Sequence, residues 1–127
     1  MEFLELYYET RIYASRHLDN SEKNAVVEHI KDSISRNRWS IHKNEKNNKF
    51  KQMSGMNYSQ IMDIIKTYIQ PKNIVCVIPN KNYPEQGSQE LYLLKMYIKK
   101  FSVYVKVDIT ERGAEFWSIH SLTGPLD

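Results

Sequence analysis

The feature that most limits the fold is an alternation close to the C-terminus. Phe101, Val103, Val105, Val107 and Ile109 alternate with Ser102, Tyr104, Lys106 and Asp108. This is the period-two signature of a strand with one apolar and one polar face. Glu111-Arg112-Gly113 supplies a turn, and Ala114 to Leu122 a returning strand. A three-residue hairpin loop usually places glycine at its last, left-handed position, which sets Thr110 opposite Ala114. Counting back, Val107 faces Trp117, Lys106 faces Ser118, Val105 faces Ile119 and Tyr104 faces His120. A two-residue loop would set Lys106 against Ile119 and mismatch the faces. The spacing therefore predicts Tyr104, Lys106, Ser118 and His120 on one exposed patch of a sheet.

Upstream, helical and strand signals are mixed, as in an α+β chain. Residues 2–18 carry both periods, and the absence of Gly or Pro before Asp19 favours a helix. Asp19-Asn20-Ser21 suits a helix start, and Val26, Val27, Ile30 and Ile34 predict a helix over 21–36. Residues 39–56 are polar and lysine-rich and are expected to form a solvated basic loop. Asn57 and Gln60 stand at capping-box spacing before the stripe Ile61, Ile64, Ile65 and Tyr68, which Pro71 stops. Residues 73–78 form a β-branched run expected to be a buried strand, residues 80–88 a loop, and Gln89 to Ile98 another strand. With 127 residues, the expectation is one domain over 1–127. Residues 1–56 would be a helical extension with a basic loop, and 57–127 a helix plus sheet.

Composition narrows the function. No apolar run approaches the roughly 20 residues of a spanning helix, so no membrane association is expected. MEFLELYYETR lacks the basic and apolar regions of a secretory signal, and a cytoplasmic protein is expected. The single cysteine, Cys76, excludes an internal disulfide and a multi-cysteine zinc site. It lies in an apolar strand and is expected to be an inert core thiol. The balance of 18 Lys+Arg against 15 Asp+Glu suits a polyanionic partner. Nine Tyr, four Phe and two Trp fill a core and could also stack on unpaired bases. Phosphate-binding glycine loops and H-E-x-x-H are absent. His17, His29 and His42 lie on separate elements, and no metal site or small-molecule cofactor is expected.

A histidine beside a tyrosine and a lysine suits RNA strand scission. The ribose 2′-OH can act as internal nucleophile, without a metal. His120 would transfer protons near neutrality. Lys106 would supply fixed charge, and Tyr104 a donor or a stacking face. An ordinary cross-strand Tyr–His pair has the same sequence pattern.

The pieces NYSQIMDIIKTY, NIVCVI, QELY at 89–92, VYVKVDI at 103–109 and FWSIH at 116–120, in that order, resemble the MqsR family of toxin ribonucleases. That family belongs to the wider RelE-like, or barnase–colicin–RelE, group. The resemblance covers about residues 57–120. It implies helices packed on a twisted antiparallel sheet of about three to five strands. It also implies metal-independent cleavage of single-stranded mRNA, and a cognate antitoxin or inhibitor protein as partner. Carried over, the family's glutamine falls on Gln89, its tyrosines on Tyr92 and Tyr104, and its last-strand lysine on His120. Its first lysine falls near Cys76, which cannot replace the charge; Lys72 or Lys95 would be the substitutes. Gln89, Tyr104, Lys106 and His120 are thus the expected catalytic residues, and Tyr92, Lys95, Lys72 and Ser118 the expected RNA contacts. Two further readings remain open. One is a non-enzymatic protein-binding module such as an antitoxin, immunity protein or phage-encoded inhibitor. The other is a nucleic-acid-binding module using Lys43–Lys51 without chemistry.

Overall fold

A computed structural model describes residues 16–79 and 90–121. Capping chemistry sets the helix starts. In α1 (Asn20–Ser35) Asp19 and Glu22 form a capping box. In α3 (Tyr58–Tyr68) Asn57 and Gln60 do the same, with both bonds at 2.9 Å. Each box satisfies two otherwise orphaned backbone donors. Pro71 opens a short 3-10 turn, Pro71–Asn73, directly before β2 (Ile74–Pro79). The strands β3 (Glu90–Ile98), β4 (Phe101–Thr110) and β5 (Gly113–Ser121) follow.

The expected loop over 39–56 is instead a short strand and a helix, β1 (Trp39–Ile41) and α2 (Glu45–Ser54). Asn44 caps α2, and Gly55 ends it in the left-handed conformation at φ 70°. Three buried residues, Asn47, Phe50 and Ser54, hold it down. Its lysine-rich remainder is the solvated face, which conceals the helical period in the sequence. The expected helix over 2–18 lies mostly outside the described residues. At its described end Arg16 is extended, and its backbone bridges Val77 in both directions, at 3.2 and 2.9 Å.

The architecture is α+β, with helices packed on a five-stranded sheet of order β1-β5-β4-β3-β2. The three pairings among β2, β3, β4 and β5 are antiparallel, as expected, but β1 joins β5 in parallel. The sheet is therefore mixed. On one face the main core joins Ile30, Phe50, Ile61 and Ile65 of the helices to Leu94, Val105, Phe116 and Ile119 of the strands. On the other face a smaller cluster gathers Cys76, Ile78, Leu91, Leu93 and Tyr104. Strands β2 and β3 are apolar on both faces, which explains the continuous run at 73–78. The cysteine is fully buried and in no disulfide, in keeping with the core position expected. No helix among the described residues is long and apolar enough to cross a membrane.

The β4–β5 register departs from expectation near the turn and meets it further along. Thr110 pairs with Gly113 across a two-residue loop, and Val107 with Phe116. A bulge then inserts Trp117, so that Lys106 meets Ser118, Val105 meets Ile119 and Tyr104 meets His120. Gly113 is required for a different reason from the one expected. It sits at φ 144°, and a Cβ there would lie 1.9 Å from the Arg38 carbonyl oxygen. That carbonyl accepts from the Ala114 N–H at 3.0 Å where the chain enters β1. Gly113→Ala is expected to lower stability by about 1–3 kcal/mol from backbone strain alone, with the clash adding to it. Urea unfolding measures this loss.

Candidate functional site

The hairpin patch forms as expected in direction and differs in exposure. Tyr104, Lys106, Ser118 and His120 share one side of β4 and β5, and Lys95 of β3 joins them as the cross-strand neighbour of Tyr104. The Lys95 ammonium lies 5.6 Å from the centre of the Tyr104 ring. But Tyr104 is only 4% exposed and His120 8%. Ser118 and Asp108 are buried as well, and Lys106 is half-buried. The expectation of an exposed patch is thus corrected: the alternating polar residues of β4 lie in a covered layer and not in solvent. Burial drives the His120 imidazole down from 6.5 to about 3, and the ammoniums of Lys46 and Lys106 add to the effect. At neutral pH this ring is uncharged and is a weak base, with no imidazolium present to act as an acid.

The other expected site residues are scattered. Tyr92 lies on the opposite face of β3, packed against the main core. Lys72 is exposed in the 3-10 turn, next to a cleft described below. Gln89 lies outside the described residues.

A second histidine stands on the same side of the sheet and is open to solvent. The chain leaving β1 continues along β5, where the His42 N–H donates to the Phe116 carbonyl at 2.9 Å. The His42 ring stacks on Trp117, with centroids 4.1 Å apart and planes tilted by 34°. Its Nε2–H donates to Glu115 Oε1 at 2.5 Å, and both side chains are about one-third exposed. An imidazole oriented by a carboxylate through one nitrogen keeps the other nitrogen for proton transfer. Ser40 is the β1 residue paired with Glu115. The pair His42–Glu115 was not legible from spacing, because 73 residues separate its members. The parallel β1–β5 contact brings them together.

Asn47 holds this corner in place. It is 1% exposed, and its amide donates to the carbonyls of His42 at 2.8 Å and Trp117 at 3.2 Å. Its Oδ1 accepts from the Ile119 N–H at 2.8 Å. Asn44 donates to the same Trp117 carbonyl at 2.9 Å. The carbonyl released by the bulge is therefore satisfied, and the edge of β5 beyond β1 is closed. Among the described residues no group of three or more His, Cys, Asp or Glu is placed to hold a metal ion.

Comparison with known protein families, curated proteins and solved structures finds no match to this chain.

Two outcomes are expected. Asn47→Leu removes three hydrogen bonds of the corner and leaves the buried Ile119 N–H without its partner. It should cost about 2–4 kcal/mol, measured by urea unfolding. His120 is neutral when folded but takes a proton near pH 6.5 when unfolded. Its contribution to stability is therefore complete above pH 6.5 and is lost as pH falls toward 3. His120→Gln should flatten the stability profile between those limits, read from thermal melts at successive pH values.

Proposed function

We propose that the protein is a metal-independent RNA endonuclease acting in the cytoplasm, with His42 and Glu115 as its proton-transfer pair. The observation that carries this reading is the solvent-accessible His42–Glu115 contact at 2.5 Å, on the sheet face that also bears Lys106. His42 Nδ1 would take the proton of a ribose 2′-OH as that oxygen bonds to the adjacent phosphorus. The P–O5′ bond breaks, leaving a 2′,3′-cyclic phosphate. The imidazolium, held by the Glu115 carboxylate, returns the proton to the departing 5′-oxygen. Lys46 and Lys106 both act on the neighbouring His120 ring, so two cations stand close to this face and would stabilise the crowded phosphorus centre. In this reading Tyr104 and His120 are the supporting layer under the site and not the reacting groups. The resemblance to toxin ribonucleases over about residues 57–120, which does not include His42, supports only the reaction class and a cognate inhibitor protein as partner.

The burial of Tyr104 and His120 favours a second reading, a non-enzymatic protein-binding module of the antitoxin, immunity-protein or phage-inhibitor kind. Incubating single-stranded RNA with purified protein in EDTA separates the two. The nuclease reading expects cleavage that falls roughly 100-fold or more in His42→Ala, and clearly in Glu115→Gln. Intact RNA with the wild-type protein gives the binding reading precedence. Cleavage that survives His42→Ala but is lost in a folded His120→Gln protein returns the chemistry to the hairpin pair.

A further inference from the structure

Two large apolar side chains stand out among the described residues by their exposure: Tyr68 at 64% and Tyr97 at 70%. Tyr68 ends α3 and Tyr97 lies near the end of β3, yet both border one cleft of about 510 Å³. Ile64 and Met96 are among its apolar lining, and Lys72 and Lys99 stand at it with no carboxylate among the lining residues. Exposed aromatic rings beside ammonium groups are the two components of single-strand recognition: stacking surfaces for bases and charge for phosphates.

The backbone at Lys99 is an independent indication. Ile98 pairs with Phe101, so Lys99 and Lys100 form a two-residue turn. Lys99 adopts φ 56°, in the left-handed region. Glycine, asparagine or aspartate is favoured there, and a lysine is held against its backbone preference. Backbone strain retained at a residue beside a cleft points to use of its side chain. Its ammonium donates to the Ser54 carbonyl at 3.3 Å. That contact fixes its position and leaves two of its three donors for a ligand.

We propose that this cleft is a subsite for single-stranded RNA, with bases stacked on Tyr68 and Tyr97 and phosphates met by Lys72 and Lys99. The choice of ligand rests on the RNA reading given above. The site itself is separate from the His42–Glu115 pair, and its occupancy does not depend on cleavage. An acidic peptide would satisfy the two ammoniums, but a row of charged residues does not stack on the phenol rings, whereas successive nucleotides of RNA supply both a phosphate and a stacking base.

The test uses a fluorescent 2′-O-methyl RNA octamer, which cannot be cut by attack of its own 2′ oxygen. Anisotropy titration should show binding that weakens with salt. Tyr68→Ala and Tyr97→Ala should each weaken it about fivefold or more. Lys72→Gln should reduce the salt slope by about 0.7. Lys99→Gly is the decisive variant. It removes the backbone strain, so its melting temperature should equal or exceed that of the wild type while its affinity falls. No binding, binding unchanged in the tyrosine variants and Lys99→Gly, or tighter binding of a glutamate-rich peptide at the same salt overturns the proposal. Octamer binding with no cleavage of ordinary RNA removes the nuclease reading and leaves the cleft. Cleavage without octamer binding does the reverse.

Discussion

The Asn47 amide is the constraint on which the rest of this corner depends. A buried amide must use its donors and acceptor within the protein, and Asn47 does so by completing a sheet edge. Strand β1 runs alongside β5 only as far as Ile41. Beyond it, β5 would present the Trp117 carbonyl and the Ile119 N–H without a neighbouring strand. Asn47 accepts from one and donates to the other, and its bond to the His42 carbonyl ties the end of β1 to the same point. Helix α2 is thereby docked, Trp117 is held in its bulge, and the His42 ring is set against Trp117 and Glu115. One side chain thus links a capped helix, a sheet edge and the accessible His42–Glu115 contact.

The hairpin illustrates how much of this was legible in the sequence. The pairings of Tyr104, Val105 and Lys106 with His120, Ile119 and Ser118 followed from matching apolar and polar faces. The route to them did not. Face-matching counts residues, and a three-residue loop and a two-residue loop followed by a bulge contain the same number. The two cannot be told apart from pattern alone. The bulge is set by Asn44 and Asn47, about 70 residues away, and no local signal records it. Gly113 was identified correctly as a special position, but its cause is the Arg38 carbonyl and not the turn.

Burial was the property that the sequence concealed most thoroughly. Alternation shows which residues share a side of a strand, and does not show whether that side meets water. The side bearing Tyr104 and His120 is covered, and β4 is an interior strand with β3 and β5 on either side. In the same way, α2 buries only Asn47, Phe50 and Ser54, with Met53 partly buried against the core. A helix with so few buried positions leaves a faint apolar stripe, so composition dominates and a loop is the natural expectation.

These points change how the histidines compare. A ring desolvated beside two ammoniums has little basicity, because protonating it would place a third positive charge in a poorly solvated layer. The His42 ring differs in its surroundings: it is partly open, stacked on an indole and bonded to a carboxylate. Sequence position favoured His120, because it lies on the clearest strand opposite a tyrosine. Accessibility and the carboxylate contact on the adjoining strand single out His42. The parallel pairing of β1 with β5 is what converts a histidine in a lysine-rich stretch into a candidate base. A strand of only three residues therefore places the His42 imidazole beside Glu115.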